Sequence, residues 1–336
     1  MTAAPGCSST ARWQGSSTDL SLAREGMRPD SLADVPKSRG RKPARKPARH
    51  PRRRVVSIPS DTAGLAWLRL AQVLQWDPAD PLQVTALPAL FLDAVAAEYG
   101  LPPERCLDDC LILTYAYAQL GMAAQVRAAR LVITAPGGAH STHGSLAPQW
   151  EDGMIHGHAV VWLPGLAHLV DVTAGQYPLI AAAGQGPVIA SCTPVPGKAA
   201  GEDDAVLEVR VPWDDLHLAY TLAPLATTAA MLASPQMRDP GRGHGHRGMN
   251  VASETVRMLA SELPPGQVRL IPHPRAAALA QAVRDLPGYQ DEAGDWRFVL
   301  PGPADGLVPH AVELAGIPLS AGTPPPAEPG LQWRGG

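Results

Sequence analysis

The stretch Cys106-Leu107-Asp108-Asp109-Cys110-Leu111-Ile112-Leu113-Thr114-Tyr115-Ala116-Tyr117-Ala118-Gln119-Leu120-Gly121-Met122 decides how the rest of the chain is read. A short rigid loop, Leu101-Pro102-Pro103-Glu104-Arg105, stands before it. The run beyond is apolar and free of proline, and Gly121 occupies the place where helices end in a left-handed residue, so the spacing predicts a helix over about 106–120. Cys106 then opens that helix. Unpaired backbone N–H groups and the positive end of the helix dipole stabilise a thiolate at such a position, and the same N–H groups suit a developing oxyanion.

Asp61-Thr62 precedes Leu65, Trp67, Leu68, Leu70, Ala71, Val73 and Leu74 at helical spacing, and this helix stops before Asp77-Pro78. A second helix is expected from about Leu87 to Tyr99, ended by Gly100. After Gly121 the period changes. Residues 129–134, 158–163, 168–173, 205–211 and 216–221 are short β-type runs, and Pro164-Gly165-Leu166-Ala167 joins two of them as an antiparallel hairpin. Helices first and an antiparallel sheet afterwards is the α+β pattern. Residues 61–230 are therefore expected to form one domain, and 231–336 a weakly structured C-terminal appendage with helices at about 252–263 and 275–286.

The hairpin carries two residues that patterning alone does not explain. His158 begins one apolar strand and Asp171 ends the next, and across this turn they stand opposite or one diagonal apart, within hydrogen-bonding reach. An imidazole that takes a thiol proton and a carboxylate that orients it are what a cysteine nucleophile needs. Cys106, His158 and Asp171 are the candidate catalytic set.

The chain from about 85 to 180 resembles bacterial transglutaminase-like domains of the papain-related superfamily. In that family a Cys opens a helix closing fifteen residues on in a Leu-Gly-Ile-Pro-Ala turn, the interval from Cys106 to Gly121 here. The family's His begins a strand and its Asp ends the next within Asp-Pro-Thr, matched in order by His158 and by Val170-Asp171-Val172-Thr173. Met122-Ala123-Ala124 replaces Ile-Pro-Ala, Val160 replaces an aromatic two residues after the His, and Val172 replaces the Pro after the Asp, which places the chain in a divergent branch. The resemblance implies a papain-like α+β fold and cysteine-dependent acyl transfer or amide hydrolysis, with a protein, a peptide or a small amide or ester as substrate. The family also holds non-catalytic relatives, so a binding or scaffold module is the alternative.

Several residues compete for these roles. Cys110, one turn on, is the rival nucleophile, but it lies inside the helix where the dipole helps less, and a core role is expected for it. His140, His143 and His156 read as surface-loop histidines, His168 as a turn residue at the far end of the hairpin, and Gln149 and Trp150 as an oxyanion donor or groove wall. A zinc site at Cys106 and Cys110 lacks a second close-spaced pair, and His244 and His246, within Gly241-Arg242-Gly243-His244-Gly245-His246-Arg247-Gly248, read as residues of a flexible loop. No phosphate loop or dinucleotide fingerprint is present, so no cofactor is expected.

Charge divides unevenly along the 336 residues: 13 Lys and Arg against 4 acids in residues 1–54, which leaves 15 against 27 elsewhere. Residues 1–60 are expected to be a disordered basic tail, with a weak polyanion contact through 37–54 as one role and simple solubilisation as the other. Four scattered cysteines make no disulfide framework, and neither a signal peptide nor a long apolar span is visible, so a cytoplasmic protein without a membrane partner is expected.

Overall fold

The computed structural model describes residues 62–330, apart from 103–104, 152–153, 185, 193–206, 214–215, 234–240 and 303–308. The basic tail and the start of the strand expected at 205 lie outside the described residues. The chain opens with α1 (Thr62–Val73), α2 (Pro81–Glu98) and α3 (Cys106–Gln119). Helix α2 starts earlier than its periodicity suggests, because Oδ1 of Asp80 accepts the N–H of Leu82 at 2.9 Å and Pro81 occupies the first turn, where a missing N–H costs nothing. Pro88 then lies inside the helix, and burial of Val84, Leu87 and Leu90 around it outweighs the lost intrahelical bond. Helix α3 begins and ends where its sequence says, with Gly121 at φ +81°.

The sheet follows as β1 (Gln125–Thr134), β2 (His140–Gly144), β3 (Gln149–Glu151), β4 (Met154–His156), β5 (Ala159–Leu163), β6 (His168–Asp171), β7 (Val188–Ser191), β8 (Leu207–Trp213) and β9 (Leu216–Leu222). Its main order is β7-β6-β5-β1-β9-β8, with β2 also on β1 and every pairing antiparallel, while β3 and β4 form a separate ribbon. The architecture is thus α+β. Strand β1 is long enough to serve two partners along one edge: β5 pairs with residues 125–128 and β2 with residues 130–134. Short helices α4 (Pro178–Ala182) and α5 (Leu225–Leu232) flank the sheet.

Alternation along the strands divides the interior in two. Val126, Ala128, Ala159, Val161, Leu163 and Val170 pack in one core with the helices, whereas Leu131, Ile133, Val160, Trp162, Leu169, Leu218 and Tyr220 pack in a second core with Tyr177 and Ile180.

The C-terminal third differs from its expected character. It provides α6 (Gly241–Glu262), α7 (Pro265–Val268), α8 (Pro274–Val283) and a small sheet of β10 (Gly288–Gln290), β11 (Trp296–Leu300) and β12 (His310–Val312). Helix α6 starts in the Gly-rich segment rather than at Ala252. Glycine there permits contact: a Cβ at Gly248 would come within 2.7 Å of the Ile112 carbonyl oxygen, so α6 lies directly on α3. Val251, Ala252, Val256, Leu259 and Leu263 join the same core as α3, so this region is packed rather than appended. Finally, residues 324–330 form a strap past the C-terminal end of α3, where the Ala327 N–H donates to the Ala118 carbonyl at 2.9 Å and the Gly330 N–H to that of Ala124 at 3.1 Å. No helix among the described residues is long and apolar enough to cross a membrane.

Candidate active site

Cys106 is the first residue of α3, and Arg105 before it makes no side-chain cap, so its side chain takes none of the first-turn N–H groups beside the sulfur. The cysteine is 6% exposed. Two acids share its turn. Nε–H of Arg105 donates to Oδ2 of Asp109 at 2.7 Å, and the same guanidinium donates to the Pro102 carbonyl at 3.1 Å. Burial nevertheless pushes the Asp109 carboxyl up to about 7, against the pull of Arg105. Asp108 is met instead from α6, where Nε2–H of His244 donates to Oδ1 at 2.9 Å.

The register pairs Val161 with Val170, which puts Val160 opposite Asp171 and His158 one diagonal away. Nε2–H of His158 donates to Oδ2 of Asp171 at 2.8 Å, with both side chains fully enclosed. The hydroxyl of Tyr220, from β9, donates to the same oxygen at 2.9 Å. Asp171 thereby receives two donors while fully buried.

His158 stands where β5 gives way to β2 along the edge of β1. Its carbonyl accepts the Ala129 N–H at 2.9 Å, and Gly144, at φ +73°, closes β2 immediately behind it. A Cβ at Gly144 would fall 2.6 Å from the His158 Cβ, so only glycine leaves room for the imidazole in this place. Tyr177 meets the ring edge-to-face at 5.4 Å between centroids, and His143 stacks on Tyr177 at 3.9 Å. Burial alone would lower the His158 pKa, but the Asp171 charge and hydrogen bond, aided by Cys106, raise it to about 10. Nδ1 is buried with no hydrogen-bond partner, which leaves it as the nitrogen available to a thiol.

The structure therefore joins His158 to Asp171 by a hydrogen bond, with Cys106 near enough to His158 to influence its pKa. Their rivals are committed elsewhere or lack the same partners. Cys110 is 2% exposed in the larger core, and burial pushes its thiol well above the usual range. His168 is a buried strand residue rather than a turn residue, sharing a 2.9 Å hydrogen bond between its Nδ1 and Oγ1 of Thr85. The indole N–H of Trp150 is committed to the Met231 carbonyl at 3.1 Å and is no oxyanion donor in this arrangement, while Gln149 is exposed. His244 and His246 belong to α6, paired with Asp108 and Asp295. His143 lies in β2 beside the site, where burial and the neighbouring His158 hold its pKa down.

Tyr220, Tyr177 and Gly144 have no place in the sequence motif. Only Tyr220 leaves a trace there, as a polar-tipped residue between the apolar same-face positions Leu218 and Leu222, where a buried hydroxyl needs a partner. No family model, curated protein or solved structure matches the chain. Among the described residues no group of three or more His, Cys, Asp and Glu is arranged to hold a metal ion.

Proposed function

We propose that this protein is a cysteine-dependent acyl-transfer or amide-hydrolysing enzyme of transglutaminase-like type, acting on an amide or ester carbonyl. The single observation that carries it is the fixed imidazole of His158, bound through Nε2 to Asp171 and leaving Nδ1 for the thiol at the start of a helix. The Cys106 thiolate adds to the carbonyl carbon, and the oxyanion faces the first-turn N–H groups of α3. As the carbon–nitrogen or carbon–oxygen bond breaks, the proton on Nδ1 passes to the leaving amine or alkoxide, and a thioester remains. Water or an amine then adds to the thioester and gives its proton back to Nδ1, and the thiolate departs. Asp171 holds Nε2–H and the positive ring throughout.

The test is the rate of alkylation at Cys106 by iodoacetamide at pH 6, followed by peptide mass spectrometry in wild type, His158→Ala and Cys110→Ala. Reaction much faster than an ordinary thiol, lost without His158 and kept without Cys110, supports the mechanism. Activity on acyl substrates then disappears in Cys106→Ala while the protein stays folded. An ordinary rate indifferent to His158 favours a second function, a binding module that keeps the fold without turnover. The burial of Cys106 is the observation on that side.

A further inference from the structure

Two carboxylates share a helical turn with Cys106, and a negative charge there opposes a thiolate that the helix dipole favours. Each of the two is answered by a basic side chain. Asp109, buried, is held by Arg105 from the preceding loop at 2.7 Å. Asp108, about a third exposed, is held by His244 at 2.9 Å, and the His244 side chain itself is 5% exposed. His244 comes from 136 residues further along the chain, and it reaches Asp108 because the glycines of α6 let the two helices touch.

We propose that His244 is a positioning residue of the nucleophile: by hydrogen-bonding Asp108 it holds that carboxylate away from Cys106, so that the first turn of α3 presents a favourable field to the thiolate. The inference rests on the function proposed above and extends it to the C-terminal third of the chain. Other charged or titratable groups around this turn are already engaged. Arg105 is bound to Asp109 and the Pro102 carbonyl, His158 to Asp171, and Arg69 lies 3.9 Å from Asp93. Among the described residues His244 is the basic group that bonds Asp108. A Gly-His-Gly-His segment that reads from sequence as an idle loop thus acquires a role through its partner.

The test compares Cys106 alkylation at pH 6 in wild type, His244→Gln, Asp108→Asn and the double variant, with circular dichroism and thermal melting to confirm folding. His244→Gln is expected to lower the rate roughly tenfold, the change an unscreened neighbouring charge produces at a partly buried site. Asp108→Asn alone is expected to keep or raise the rate, and the double variant to recover the wild-type rate. A role for His244 in packing alone predicts the opposite for the double variant, which would stay slow. A His244→Gln rate equal to wild type, or a double variant that does not recover, overturns the proposal. Because this inference is read from ratios between variants, and the proposed function from the wild-type rate and its dependence on His158, either can fail without the other.

Discussion

A single oxygen, Oδ2 of Asp171, accepts both the imidazole of His158 and the hydroxyl of Tyr220. A hydrogen bond to a charged acceptor in a buried site contributes about 1.5–3 kcal/mol, and the tyrosine is the partner that chemistry permits one to remove without emptying space. Tyr220→Phe is therefore expected to lower stability by about 2 kcal/mol in urea unfolding and to slow Cys106 alkylation at pH 6, since Asp171 is then held by His158 alone. An unchanged rate would show that β9 supports the core and not the imidazole. The candidate pair His158 and Asp171 was legible because each interrupts an apolar strand across a short turn. Tyr220 was not, since it meets Asp171 across 49 residues, through a sheet order that no local period encodes.

At the scale of elements, the contrast between α3 and α6 shows where local signals suffice. Helix α3 has its loop, its apolar run and its terminal glycine in one continuous stretch, so sequence and structure agree on both ends. Helix α6 begins with glycines, each costing about 1 kcal/mol in helix propensity, and its local pattern argues for a loop. Contact with Tyr115 and Ile112 overrides that cost. Two substitutions separate the effects. Gly243 is exposed with nothing within 4 Å of an added Cβ, so Gly243→Ala is expected to raise stability by up to about 1 kcal/mol. Gly248→Ala drives a methyl into α3 and is expected to cost about 1–3 kcal/mol, with a lower melting temperature. Equal effects at both positions would mean that the helices do not touch as described.

For the whole molecule, His168 and His273 connect the sheet, α2 and α8. Burial lowers both pKa values, reinforced for His168 by His273 and opposed by Asp80, and for His273 opposed by a hydrogen bond to the Pro81 backbone. A histidine held below its unfolded value of about 6.5 binds fewer protons in the fold than in the open chain, so its contribution is complete above that pH and is lost as pH falls. Asp93 and Asp109, raised to about 6 and about 7, act in the other direction and are lost as pH rises through those values. The two effects overlap in wild type. His273→Gln isolates the first: from pH 7 to pH 5 the wild type is expected to lose stability relative to this variant in urea unfolding. Parallel curves would remove the assignment.

The strap at residues 324–330 has a consequence for how the protein is made. Synthesis delivers Cys106, His158 and Asp171 before α6 and the strap that brace α3. A nascent chain halted near residue 230 holds every reacting group of the proposed mechanism and lacks the floor on which they are aligned. On the proposed mechanism the thiol is thus armed only after synthesis has passed the strap.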